Sequence, residues 1–279
     1  MPINRVELGE RQGRIWPSKP SVTASGVVSV FHNMIVAKDG EAAALPRNKL
    51  TAVCMNQRGD TLATSDSRGM LTLFRLTKNR YVQLKNLGCA VTCMQFSPLR
   101  KSELAVATRD GAIYIFDTDA QRLLATLKNA HKHGVTSISF HPRNAIMITS
   151  SVDAINIWDL KKWTKLKTLG AGSGIADAKF NAAGTSLLVA FRDDSIISWS
   201  TGSYEVQGKY DLPKMERPFS IQCMCASSDG KYLLVGGQSS DMYIWETDSK
   251  QLVAAIELPP SVTFVVNATF LPDNKSAAV

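Results

Sequence analysis

Long apolar runs are missing from this chain. The most apolar late stretch, Val262 to Leu271, is too short and too polar to cross a bilayer. Met1 to Ser21 holds charges and prolines but no apolar centre, so no secretory leader is expected and the chain reads as intracellular. Cysteine is scarce. Cys54, Cys89, Cys93, Cys223 and Cys225 make an odd five. Cys223 and Cys225 share a strand face, yet no second Cys or His pair follows at zinc spacing. Buried free thiols in a reducing compartment are the expectation, against a disulfide scaffold. A glycine-rich phosphate loop and a nucleophile elbow are also missing. No metal, cofactor or small-molecule substrate is therefore expected, and the reading is non-enzymatic.

Apolar residues make up 44% of the 279 and charged residues 20%, enough to bury a large core. Lys and Arg number 32 against 24 Asp and Glu, a net charge of +8. That excess favours acidic partner surfaces without specifying nucleic acid.

The most regular stretch is Val135 to Leu160. Val135–Phe140 reads as a strand closed by a His141-Pro142-Arg143-Asn144 turn. Ala145–Ser150 is nearly all apolar, as in a strand buried on both faces. Val152-Asp153-Ala154 turns the chain, and Ile155–Trp158 alternates before Asp159. Two markers repeat along the sequence. Phe74, Phe116, Trp158, Trp199 and Trp245 each close a third strand. Met55, Phe96, Phe140, Phe180, Cys225 and Phe270 each close a first strand. Both series step by about 40–45 residues, the period of WD40 repeats. The sequence predicts an all-β, WD40-type β-propeller with five complete blades and a truncated sixth.

The units fall near 51–84, 91–127, 135–169, 175–210 and 221–257, with a partial one over 265–279. Outer strands are expected at Tyr81–Leu84, Leu123–Leu127, Lys165–Leu169, Glu205–Tyr210 and Leu252–Glu257. Residues 1–25 read as an arm pinned by Trp16, and 26–279 as the propeller. Gly26–Val36 reads as an extra strand and Lys38–Asn48 as a loop. The expectation is an open arc; the alternative is a makeshift closing sheet between Gly26–Val36 and Val265–Phe270.

Gly13-Arg14-Ile15-Trp16, Lys19-Pro20, His32-Asn33 and Arg100-Lys101-Ser102-Glu103 stand beside Ser150-Ser151, Trp158-Asp159-Leu160 and Phe270-Leu271-Pro272-Asp273. On these stretches the chain resembles the amino-terminal region of the WD-repeat member of the TBC-domain family, along essentially its whole length. The resemblance implies a propeller of about seven blades followed by a TBC domain and coiled coil. It also implies association with the centrosome, centriolar satellites and cilium formation. The arginine- and glutamine-finger motifs of TBC domains are not found here, so no GTPase-activating role is implied.

His131, Ser150, Asp153 and Trp158 are the candidate structural tetrad of the third unit. Such groups tie a blade's entering loop to its strands in a buried network, and catalysis is not expected of them. Asp110 and Asp193 take the matching turn positions in the second and fourth units. Arg68, Arg109 and Arg192 enter the turn between second and third strands in three units. They are the candidate partner-binding residues, a basic rim for an acidic peptide. Lys161-Lys162-Trp163-Thr164-Lys165-Leu166-Lys167 interleaves base and aromatic as nucleic-acid binders do. The favoured reading there is an outer strand whose lysines block edge-to-edge aggregation. The function that follows is a scaffold for protein partners, with a nucleic-acid-binding propeller as the alternative and no membrane insertion.

Overall fold

The computed structural model describes residues 12–13, 49–170, 174–213, 218–239, 241–258, 264–265, 267–270 and 277–278. The remainder of the amino-terminal arm, the strand expected over Gly26–Val36 and the loop up to Asn48 lie outside the described residues. All regular structure among them is β. The first sheet holds β1 (Gln12–Gly13), β2 (Leu50–Met55), β3 (Thr61–Asp66), β4 (Met70–Arg75) and β5 (Arg80–Asn86). Its order is β1-β5-β4-β3-β2, so β1 adds a fifth strand outside β5, pairing Gln12 with Val82 and Gly13 with Tyr81. The second sheet is the meander β6 (Val91–Phe96), β7 (Glu103–Thr108), β8 (Ile113–Asp117), β9 (Arg122–Leu127). The third is β10 (Val135–Phe140), β11 (Ile146–Ser151), β12 (Ala154–Asp159), β13 (Thr164–Gly170). The fourth is β14 (Ile175–Phe180), β15 (Ser186–Phe191), β16 (Ile196–Ser200), β17 (Val206–Tyr210). The fifth is β18 (Ile221–Ala226), β19 (Tyr232–Gly237), β20 (Asp241–Glu246), β21 (Leu252–Glu257). A short ribbon, β22 (Thr269–Phe270) with β23 (Ala277–Ala278), follows.

The period read from the sequence is the period of the sheets. Phe74, Phe116, Trp158, Trp199 and Trp245 each occupy the penultimate position of a third strand. The first-strand series needs one correction. In the fifth sheet Ala226, not Cys225, ends the strand and faces Leu233, as Phe180 faces Leu187 and Phe140 faces Met147. An alanine fills the site that Phe holds in the second, third and fourth sheets, so the larger neighbour stands out in the sequence. Every first strand also carries a bulge after its opening residue, at Leu50, Val91, Val135, Ile175 and Ile221. Entry to each outer strand passes through one left-handed residue: Asn79, Gln121, Trp163, Tyr204 and Lys250.

The chain divides into two compact units, Met1–Thr126 and Leu127–Val279. In the first, Ala63, Leu71 and Leu73 pack with Val91, Phe96, Leu104, Val106 and Phe116. Its second strands, β3 and β7, are buried throughout because they pair on both edges and pack on both faces. In the second unit, Ile148, Ile155, Ile157 and Leu169 pack with Ile175, Leu187, Val189 and Trp199. Leu188, Ala190 and Ile196 then pack with Phe219, Leu233, Val235 and Trp245. Cys223, Leu234 and Met242 meet Val265 and Ala268 beyond. β22 pairs with β23, while the Gly26–Val36 segment proposed as its alternative partner lies outside the described residues.

Candidate functional site

β11 and β12 position the polar network of the third sheet. Thr149 faces Asn156 across the pair, and Met147 faces Trp158, so these four side chains share one face. The Trp158 indole Nε1–H donates to Thr149 Oγ1 at 2.9 Å. His131 Nε2 meets the same hydroxyl at 2.8 Å. Asn156 Nδ2 donates to the Ala130 carbonyl at 2.6 Å, and Thr168 Oγ1 donates to Asn156 Oδ1 at 2.6 Å. The loop entering the sheet is thereby tied to β11, β12 and β13.

The bridging hydroxyl is Thr149, not the Ser150 nominated from the sequence. The cause is the two-residue alternation of a strand, which sends Ser150 to the opposite face. There it meets Ser137 Oγ at 2.6 Å and Thr136 Oγ1 at 2.7 Å. Asp153 lies close enough for its charge to act on His131, but its Oδ1 is buried without a hydrogen bond among the described residues. Asn156 and Thr168 belong to the network and were missed. Asn156 is signalled by being the lone polar residue inside the Ile155–Trp158 run; Thr168, on the outer strand, has no such signal.

A His beside a hydroxyl and near a carboxylate has the composition of a nucleophilic site, but here the groups are sealed. Thr149 is 0% and His131 7% exposed. The Trp158 N–H also occupies a lone pair that a nucleophile would need. Burial pushes His131 down to about 4, outweighing the Asp153 charge that pulls upward. The neutral ring is therefore the folded form. Above pH ~6.5 the ring is neutral folded and unfolded alike, and its contribution is constant. Between about 6.5 and 4 the unfolded chain takes a proton that the folded ring refuses, so stability falls by roughly 3 kcal/mol before levelling off. His141, lowered by its own burial, acts in the same direction. Urea unfolding at a series of pH values should show this decline, and His131→Gln should remove most of it.

Sequence reasoning also missed a set of bonds between neighbouring first strands in the second unit. Ser137 Oγ accepts from the Ala178 N–H at 3.0 Å and donates to the Ala178 carbonyl at 3.1 Å. Ser139 Oγ accepts from the Phe180 N–H at 3.1 Å. One sheet further on, Asp177 Oδ2 accepts from the Met224 N–H at 3.0 Å and from Lys179 Nζ at 3.1 Å. Lys179 Nζ in turn donates to the Met224 carbonyl. Cys225 Sγ stands 3.7 Å from Thr269 Oγ1 of β22. Cys54, Cys89, Cys223 and Cys225 carry free thiols, and burial pushes Cys54 up to about 12 and Cys223 up to about 11. Those two thiols are poor nucleophiles.

The turns carry the exposed candidates. Arg68 and Arg109 lie in the β3–β4 and β7–β8 turns of the first unit, and Arg192 in the β15–β16 turn of the second; all three are exposed. Arg109 and Arg192 are equivalent, since their backbone N–H groups donate to Ala90 and Gly174, just before a first strand. In the first sheet Ser67 makes that bond, to Lys49, so Arg68 sits one residue later. Asp110 and Asp193 close their own turns, onto Ala112 and Ser195. The residue that reaches the next sheet is Asp194, which accepts from Phe219 N–H at 2.7 Å and Ile221 N–H at 3.1 Å. Asp194 precedes Trp199 by the same interval as Asp153 precedes Trp158, so counting to Asp193 picked the neighbour.

Repeated four-stranded antiparallel meanders, each closing its third strand on an aromatic, define a WD40 β-propeller protein. The family described as the anaphase-promoting complex subunit 4 WD40 domain matches residues 53–152, and the WD domain, G-beta repeat family matches residues 215–246. The resemblance to the WD-repeat member of the TBC-domain family holds. TBC1 domain family member 31 of Homo sapiens is 31% identical over 282 residues, covering 99% of this chain and 26% of that protein. Its counterpart in Xenopus laevis is 29% identical over 278 residues, covering 98% and 25%. The nuclear distribution protein nudF of Aspergillus niger is 30% identical over 174 residues, 60% of this chain and 38% of that protein. The chain thus spans about a quarter of the length of the TBC1 domain family member 31 proteins it matches. WD40 propellers serve in general as binding scaffolds rather than catalysts. Among the described residues no helix is long and apolar enough to cross a membrane.

Proposed function

We propose that this chain is a non-enzymatic scaffold that binds protein partners through its exposed turns. By its likeness to TBC1 domain family member 31 it works in the cytoplasm, in assembly at the centrosome, centriolar satellites and cilium. The observation that carries the reading is the division of labour between the third sheet's buried network and the exposed turns. The network's histidine, hydroxyl and indole groups are consumed in buried bonds, as at His131, Thr149 and Trp158. Arginines are left outside, at Arg68, Arg109 and Arg192 in turns held by a rigid sheet. Arginine suits carboxylate groups, so an acidic peptide is the partner chemistry.

Two measurements test this. Tagged chain expressed in ciliated cells should concentrate at the centrosome and recover a reproducible set of proteins. Reversing Arg68, Arg109 and Arg192 together to Glu should leave the melting curve unchanged and cut that recovery by ~10-fold or more. Unchanged recovery removes the arginines from the site. Recovery of RNA or DNA instead, lost steeply as salt rises, would replace the scaffold with the nucleic-acid alternative.

A further inference from the structure

One sheet of this chain carries an added strand at its outer edge. β1 shows it in the first sheet, where Gln12–Gly13 pair with Val82 and Tyr81 on β5. In the third sheet the outer strand is β13, which matches β5 at seven residues; no strand pairs with its outer edge among the described residues. β13 with the turn before it is also the most basic outer edge of the second unit. Lys161, Lys162, Lys165 and Lys167 are all exposed, and residues 160 to 170 contain no acidic side chain. Among the described residues none of these lysines forms an ion pair. The other outer strands of the second unit differ: β17 carries Lys209 alone, and β21 carries only Glu257.

Blocking aggregation explains one or two edge lysines. It does not explain Lys161 and Lys162 in the turn before β13, beside the exposed apolar surface of Leu166. Leu166 is 56% exposed at the bulge between Lys165 and Lys167. The Lys167 ammonium lies 4.8 Å from the centre of the Tyr204 ring, which fixes its direction. Past the bulge, Lys167 to Gly170 keeps regular pairing with β12, so this part of the edge can accept a strand.

We propose that the outer edge of β13 docks an extended acidic segment of a partner protein. Its backbone pairs along Lys167–Gly170, and its carboxylates meet Lys161, Lys162, Lys165 and Lys167. Adjacent acidic residues fit, because the bulge pairs Lys165 with Trp158 and Lys167 with Ile157 and so puts the two lysines on opposite faces of the sheet. The site rests on the scaffold reading but uses a surface separate from the arginine turns, so the two fail independently.

Fluorescence anisotropy with a labelled peptide of ~8 residues, its glutamates in adjacent pairs with valines between the pairs, tests it directly. Binding at near-physiological salt should weaken ~10-fold or more in a Lys165→Glu, Lys167→Glu variant. The same charge change in Lys128→Glu, Lys231→Glu should leave it within about twofold. A peptide of the same composition with a central proline should bind more weakly, since proline lacks the N–H that strand pairing uses. Equal loss in both variants, or no effect of proline, would overturn edge docking. Tighter binding of a single-stranded oligonucleotide lost through the same two lysines would overturn the protein partner. Melting curves of both variants matching the parent show that the edge, not the fold, was changed.

Discussion

Trp158→Ala should lower the unfolding free energy by about 3–5 kcal/mol, the cost of removing a large aromatic from a packed core. Trp158 is 5% exposed, and it does two jobs there. Its ring fills the face it shares with Met147, and its indole N–H holds Thr149. Substitutions separate the two. Trp158→Phe keeps most of the ring and loses only the bond. Thr149→Val strands both the indole N–H and a His131 nitrogen, a loss of roughly 1–3 kcal/mol. His131→Ala leaves the Thr149 hydroxyl short of one partner and costs a similar amount. Equilibrium urea unfolding reads all four. A parent-like midpoint for Trp158→Ala and Thr149→Val would remove the network from the stability of the third sheet.

Gly69→Ala should be nearly as damaging, for a different reason. Gly69 turns β3 into β4 at a φ of +83°, where side chains are disfavoured by about 1–2 kcal/mol. A Cβ added there would also lie 2.3 Å from the Cys89 carbonyl oxygen. That neighbour is backbone, so relief requires the segment before β6 to move, a further roughly 1–3 kcal/mol. Gly59→Ala is the matched control. Its φ is +69°, but the nearest atom to the added carbon is Met55 Sδ at 3.9 Å. It should lose only the conformational part. Equal midpoints for the two variants would show that the Cys89 carbonyl yields without cost.

The sheets were legible because their markers are large or distinctive. An aromatic that closes every third strand survives any single substitution, and it fixed the period along with the first strands. Reading failed where the marker was small or the count was off by one. Ala226 takes the place of a Phe, so the eye moved to Cys225. Ser150 and Thr149 are adjacent hydroxyls on opposite faces, and composition cannot say which one faces the indole. Asp193 and Asp194 pose the same problem, and the structure gives the long reach to Asp194. Least legible were the bonds from Ser137, Ser139, Asp177 and Lys179. Each joins residues more than forty positions apart, and each partner is a peptide group that leaves no trace in the sequence.

Those last bonds bear on how such repeats diverge. In each, the side chain belongs to one sheet and the main chain to the next, at Ala178, Phe180 and Met224. A peptide N–H survives every substitution except proline, so the receiving repeat is otherwise free to change its own side chains without losing its place. The repeat that supplies the side chain is constrained only to present a suitable polar atom: two serines do so in the third sheet, an aspartate and a lysine in the fourth. Neighbouring repeats therefore need not change in step. A lineage can rewrite one repeat at a time, and adjacent units with little sequence in common still stay in register.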